Sequence, residues 1–156
     1  MDMFETKYVV NAANTQAMWG QYAQFYKQVI DKALSMDKNI IFLAHEKKVM
    51  NADDMVLETK VPVKGSVGNT GVEANFEVVL SAKKIATAKL EYLDKTPLLV
   101  NDDEEGLGLM YVFQTKIDKN TLNERMRSPF GMWGKDEKYI NNDIQSVIDR
   151  LDSYYA

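Results

Sequence analysis

The 156-residue chain contains no cysteine and a single histidine, His45. The lack of cysteine excludes a disulfide scaffold, a thiolate zinc site and a cysteine nucleophile, and it is typical of a reducing compartment. One histidine excludes a metal site built from several imidazoles. No apolar run approaches the roughly 18 residues of a membrane helix, and the amino-terminal residues lack the apolar core of a signal peptide. We therefore expect a cytoplasmic protein that does not span a membrane.

A phosphate-binding loop of the form G-x-x-x-x-G-K-[ST] is also missing from the sequence. The one glycine cluster, residues 64–71, favours a hairpin loop and a binding loop about equally. Hydrophobic residues make up 46% and charged residues 27%, which indicates one globular domain over residues 1–156. Because the net charge is −4, any contact with nucleic acid must come from a local basic patch.

The sequence around Ile40-Ile41-Phe42-Leu43-Ala44 is the longest compact apolar run with β-branched and aromatic residues. This composition predicts a strand that is buried on both faces of a parallel sheet. His45 and Glu46 follow the run directly, and ligands bind beyond the carboxyl ends of such strands. We therefore take these two residues as candidate catalytic groups, with Glu46 either fixing the imidazole tautomer or orienting a water. The alternative is a buried histidine with a structural hydrogen bond.

The remaining pattern predicts an α/β fold. A short strand at Tyr8–Val10, an amphipathic helix over residues 16–35 and the Ile40 strand form a βαβ unit, which implies a mainly parallel sheet. Further segments extend this arrangement: an edge strand or hairpin arm at 56–61, strands at 76–81 and 109–116, an acidic loop or helical turn at 101–106, and a final helix after Asn142.

Basic residues follow several of the predicted strands. Lys83 and Lys84, Lys116, and then Arg125 and Arg127 are either solvated charges or a set that converges on a phosphate-bearing ligand. The spacing of Arg125 and Arg127 places their side chains on different sides of a helix, so one of them at most faces a given ligand.

An ordered series of sequence blocks resembles the later part of the phage nucleotide-binding proteins of the RecA-like P-loop ATPase group. The likeness extends from about Tyr8 to Leu151. The blocks are Tyr8-Val9-Val10-Asn11, Trp19-Gly20-Gln21-Tyr22, Ile40 to Glu46, Val63 to Ser66 with Gly71 to Phe76, Tyr111 to Lys116, and Arg125 to Met132.

The resemblance implies a RecA-like core with flanking helices and a C-terminal helix, but without the P-loop unit. It places Asn11 where the family has the Walker B aspartate, and an amide is a poorer Mg²⁺ ligand than a carboxylate. The chain should therefore not hydrolyse ATP by itself. ATP and Mg²⁺ are expected only with a partner or a missing N-terminal half, and no cofactor is expected for the chain alone.

The resemblance also assigns roles to individual residues. His45 and Glu46 match strand-end residues that sense the nucleotide or DNA. Residues 64–75 look like a mobile DNA-contacting loop, and Lys116, Arg125 and Arg127 match a segment that reaches a neighbouring subunit's γ-phosphate, with arginine-finger chemistry. The nucleic-acid-binding candidates are Lys64, Gly65, Asn69, Lys83 and Lys84.

These roles imply a phage RecA-like ATPase-related protein, either a fragment or a split subunit, acting in nucleotide-dependent DNA recombination or replication in the cytoplasm of an infected host. Its partner would be a Walker A-bearing chain or further copies of itself, with single-stranded DNA as an additional ligand. A different hypothesis is a non-catalytic interaction module or inhibitor that docks on a host or phage protein. A third is direct binding of single-stranded DNA without a partner.

Overall fold

The computed structural model describes residues 15–51, 55–90 and 98–156. The chain divides into two compact units, one formed by residues 1–50 and 59–75 and the other by residues 51–58 and 76–156. The predicted strand at Tyr8–Val10 and the Walker B position Asn11 lie outside the described residues. Within the described ranges, no helix is long and apolar enough to cross a membrane.

The first unit is organised around helix α1, Thr15–Leu34. The periodicity of the sequence predicted this helix within one residue at each end, and Tyr22 and Ile30 of its apolar stripe are buried. The ring of Trp19 meets that of Tyr22 edge to face at 5.8 Å between centroids, an arrangement that aromatic pairs favour. Burial raises the pKa of the Tyr22 hydroxyl. The aromatic stripe of α1 is therefore packing surface.

Two short strands, β1 (Lys47–Asn51) and β2 (Val56–Lys60), form a two-stranded sheet. This confirms the strand, predicted as an edge strand or hairpin arm, at residues 56–61. Further along the chain, a five-residue helix, α2 (Ser66–Thr70), is followed by a 3-10 turn over Val72–Asn75. The glycine-rich segment is thus helical in its middle.

The second unit contains a three-stranded sheet in the order β3 (Ser81–Ala86), β4 (Leu109–Gln114) and β5 (Tyr139–Asn141). Both strand pairs are antiparallel, with Lys84 opposite Tyr111 and Phe113 opposite Ile140. The mainly parallel sheet expected from the sequence is therefore wrong for the described residues. The coarser expectation of a mixed helix-and-sheet protein is confirmed.

Apolar residues cover both faces of this sheet. On one face, Met110 and Val112 of β4 are fully buried and pack with Leu90 and Leu98. On the other face, a second cluster is formed by Met132, Trp133, Ile140 and Val147, with Phe113 packed against it. Because successive side chains of a strand alternate between faces, β4 supplies residues to both clusters.

Two helices complete the second unit. Helix α3 (Asp102–Leu107) begins with a capping box in which Asn101 and Glu104 bond each other's main-chain N–H groups. Helix α4 (Ile144–Tyr155) is capped by Asp143, whose side chain accepts from the N–H groups of Gln145 and Ser146. Asp143, one residue after the predicted Asn142, is therefore the N-cap. The segments predicted at 101–106 and at the C-terminus are both helical.

The predicted strand at residues 40–44 is the main error. The structure shows no strand there, and Leu43 is 94% exposed while Ile41 and Phe42 are about half exposed. The strand predicted at 76–81 is also displaced, because the ladder begins at Ser81. Ahead of it, Val79 forms only an isolated bridge, to Arg127.

Candidate functional site

The two candidate catalytic residues lie on an exposed part of the first unit. His45 and Glu46 are both exposed and come immediately before β1. They do not follow a buried strand, so the premise that placed them at the mouth of a parallel sheet is wrong. Their assignment as catalytic groups keeps only the support of the resemblance.

The predicted DNA-contacting loop contains structural constraints of its own. Gly65 has a φ of +70° and precedes α2, a conformation that favours glycine. A Cβ on Gly68 would collide with the carbonyl oxygen of Val63. Lys64 is exposed, whereas Asn69 lies within α2. Backbone geometry thus accounts for two of the glycines, and Lys64 remains the exposed cation of this loop.

The second unit brings several predicted cations into contact with carboxylates. The Lys83 ammonium lies 2.7 Å from Oε1 of Glu124, and the Arg125 guanidinium lies 3.2 Å from Oε2 of Glu58. Oε1 of Glu58 also accepts from the side-chain amide of Asn51 at 2.9 Å. These contacts link β3 and the hairpin to the segment before Arg127. The side chains of Lys83 and Arg125 therefore both form ion pairs within the second unit.

Lys116 is also occupied, because its ammonium donates to the carbonyl oxygen of Gly134. Arg127 has an exposed side chain, and its main chain exchanges two hydrogen bonds with Val79, at 2.8 and 3.1 Å. Of the three residues expected to reach a neighbouring nucleotide, Arg127 is the one that a fixed backbone presents at the surface. The side chains of Arg125 and Lys116 instead make contacts that connect segments of the second unit.

Lys83 and Lys84 face opposite sides of the sheet and have different surroundings. Lys84 is exposed, and Tyr111, its direct neighbour across the sheet, is 51% exposed. The main chain of Tyr111 donates to Glu104 and accepts from Asn142, on the side away from β3. Lys84 and Tyr111 therefore form a non-hydrogen-bonded pair, in which the side chains lie close together.

A buried polar cluster lies on the Lys83 face, and no sequence pattern indicated it. Gln114 is fully buried and donates to Oγ1 of Thr121 at 3.0 Å and to the carbonyl oxygen of Lys116. Oε1 of Gln114 and Oε2 of Glu124 have no hydrogen-bond partner among the described residues. Among those residues there is no group of three or more acidic or histidine side chains that could hold a metal ion.

A turn over residues 129–132 presents the most exposed large apolar side chain described. Phe130 is 99% exposed. The Met132 N–H donates to the carbonyl oxygen of Pro129 at 3.2 Å, and Gly131 has a φ of +78°, which is typical of a type II turn. The hydroxyl of Tyr154 donates to the carbonyl oxygen of Phe130 at 2.9 Å. Two hydrogen bonds therefore hold the backbone of the turn that carries the exposed Phe130 ring.

Comparison with known proteins gives no further assignment. No protein family, no curated protein and no solved structure matches the chain.

Proposed function

We propose that the chain is a subunit of a phage RecA-like ATPase that acts in nucleotide-dependent DNA recombination or replication. The support is the order of the sequence blocks from Tyr8 to Met132, which resembles that group. The antiparallel sheet adds no support. In this proposal, the phosphate-binding loop belongs to another polypeptide, because the sequence contains no such motif.

The structural support for this proposal is the exposed side chain of Arg127. Its main chain is held by the bridge to Val79 through two hydrogen bonds, and its side chain is exposed. A guanidinium can grip two phosphate oxygens at once, and an arginine supplied in trans accelerates phosphoryl transfer by about 10³-fold or more. Arg127 would act in this way on a nucleotide held by a partner.

The test co-expresses the tagged chain with the Walker A-bearing protein of the same phage and measures ATP hydrolysis by the purified complex. We expect Arg127→Ala to lower hydrolysis by about 10³-fold. Arg125→Ala is the matched control, because its guanidinium is paired with Glu58, and it should change thermal stability more than hydrolysis. Equal hydrolysis by the wild type and Arg127→Ala would overturn the assignment.

A second candidate function is direct binding of single-stranded DNA, and the exposed Lys84–Tyr111 pair favours it. Proteins that bind single strands combine a cation near the backbone with an aromatic ring for base stacking. Ala82 and Ala86 lie on the same face of the sheet as Lys84, and their short side chains leave space for a ligand on either side of it. This pair is a better candidate contact than Lys83, which is paired with Glu124.

Fluorescence anisotropy with a labelled oligothymidine tests this second function. Lys84→Gln should weaken binding and lower the slope of log affinity against log salt by about 1, as expected for one phosphate contact. Lys83→Gln should leave the affinity unchanged. Equal effects of the two substitutions would indicate unspecific electrostatics and exclude the site.

A further inference from the structure

Strand β3 forms an outer edge of the three-stranded sheet, with β4 as its neighbour in the described residues. The main chain of an antiparallel strand points alternately toward its neighbour and away from it. Because Lys84 and Tyr111 form a non-hydrogen-bonded pair, the N–H and C=O groups of Lys84 point away from β4, as do those of Ala82 two residues earlier. None of these groups has a hydrogen-bond partner in the part of the chain that the structure describes. The edge of β3 is therefore an open row of main-chain donors and acceptors.

This edge is both accessible and held in an extended conformation. Ala82 and Lys84 are exposed, and the short side chain of alanine leaves the main chain beside it uncovered. On the other face of the strand, Ile85 packs against the buried cluster that contains Met110 and Val112. An edge that is already ordered costs little conformational entropy when a ligand binds, so only the ligand has to be ordered.

The chemistry of the edge indicates which ligand it fits. An extended polypeptide presents N–H and C=O groups at the repeat of a β-strand, and it can therefore satisfy the outward groups of β3. Lys84 would then lie directly opposite a side chain of the incoming strand, where an opposite charge is favourable and a like charge is unfavourable. Since the Lys83 ammonium is already paired with Glu124 at 2.7 Å, Lys84 determines the charge preference of the edge.

A second copy of β3 is a poor ligand for this edge. If two such edges paired antiparallel through their outward groups, Lys84 of one copy would lie opposite Lys84 of the other, or opposite a neighbouring alanine with the second Lys84 on the diagonal. Each of these registers brings ammonium groups of the same sign close together. The same lysine that discourages pairing between copies attracts an acidic strand.

We propose that the free edge of β3 binds an extended acidic segment of a partner protein, which adds a strand to the sheet beside Ala82 and Lys84. Acidic side chains of this segment lie on the face of Lys84 and Tyr111, and apolar side chains lie on the face of Ile85, so the two types alternate along it. The contact needs no nucleotide and does not involve Arg127. It therefore goes beyond the proposed function and is tested separately from it.

Fluorescence anisotropy with a labelled peptide of alternating glutamate and valine measures this binding, and a peptide of alternating lysine and valine is the control probe. The wild type should bind the glutamate peptide more tightly. Lys84→Glu should reverse the preference and weaken binding of the glutamate peptide by about tenfold or more. Lys32→Glu is the matched control, because it makes the same change in net charge at an exposed position of α1 in the first unit. It should leave both affinities unchanged.

Two further measurements test the main-chain hydrogen bonds. Ala82→Pro removes an outward N–H, a change that an edge strand tolerates, and it should weaken binding by about fivefold or more. N-methylation of the glutamate peptide at alternate residues should abolish binding when the methylated groups face β3 and preserve it when they face solvent. In amide hydrogen exchange, the N–H groups of Ala82 and Lys84 should be protected only in the complex.

Several outcomes would overturn the proposal: no binding of the glutamate peptide, equal affinity of the wild type and Lys84→Glu for it, the same effect of both methylation patterns, or unchanged exchange at Ala82 and Lys84. Binding of labelled oligothymidine without binding of the glutamate peptide would also overturn it and would assign this surface to DNA. Circular dichroism checks that each variant is folded, and the methylated peptides test the hydrogen bonds on the wild type even if Ala82→Pro is not.

Discussion

The clearest electrostatic contribution of a single residue comes from Asp118. Its Oδ2 lies 2.5 Å from the Lys138 ammonium, and its Oδ1 accepts from the Asn120 N–H and the Thr121 hydroxyl. The hydrogen bond from Lys138 is the main cause that lowers the pKa of Asp118 to about 2. A carboxyl whose pKa is lower in the folded state stabilises the fold above its unfolded pKa of about 3.9.

This stabilisation should disappear as the pH falls from about 4 to about 2. We expect Asp118→Asn to lower the free energy of unfolding at pH 7 by about 1 to 2 kcal/mol. Lys138 is 39% exposed, which reduces the effect below the full value of the pKa shift. The difference between variant and wild type should shrink toward zero near pH 2. Urea denaturation at several pH values measures it, with exposed Asp136→Asn as the control. A difference that stayed constant with pH would contradict this account.

Individual charges could be located from the sequence, but their partners could not. Lys83, Lys116, Arg125 and Arg127 all looked like equivalent candidates for a phosphate. Lys83 and Glu124 are 41 residues apart, and Arg125 and Glu58 are 67 apart. Such pairs depend on the tertiary fold, and no local pattern encodes them. The burial of Gln114 was missed for the same reason, since a polar residue in a strand gives no sign of which face is covered.

The secondary-structure elements that local periodicity specifies were predicted well, and those that depend on pairing were not. Helix α1 has apolar side chains at helical spacing, and β4 begins with a run of five apolar residues, so both were found. The direction of strand pairing requires knowledge of the neighbouring strand. Residues 40–44 have the composition of a buried strand, but all five are exposed in the fold. Composition alone therefore predicted a strand that does not form there.

This difference can be tested at the level of the element. Since Leu43 is 94% exposed, we expect Leu43→Ser to change the free energy of unfolding by less than about 0.5 kcal/mol. In a buried strand the same change would cost several kcal/mol. Val112→Ala, in the fully buried centre of β4, should cost about 1 to 3 kcal/mol and provides the internal comparison. The measurement is urea denaturation, at a concentration where the wild type is monomeric. A large loss in the free energy of unfolding for Leu43→Ser would support the buried strand that the sequence composition predicted.

For the whole molecule, the main functional question is whether nucleotide binding resides in these 156 residues. Most of the affinity for a nucleoside triphosphate comes from main-chain N–H groups of a phosphate-binding loop at a helix N-terminus, and the sequence has no such motif. We therefore expect titration calorimetry of the isolated chain with Mg-ATP to show no binding tighter than about millimolar, or about −4 kcal/mol.

The complex with a Walker A-bearing chain should bind Mg-ATP more tightly, because the partner supplies the loop. Arg127→Ala should change hydrolysis by this complex more than its affinity, since an arginine that acts on the transition state contributes little to ground-state binding. If the isolated chain bound Mg-ATP at micromolar concentration, the phosphate site would lie within this chain. The proposal that a second polypeptide supplies the phosphate-binding loop would then be wrong. Competition with ADP and with inorganic phosphate would show which part of the nucleotide that site holds.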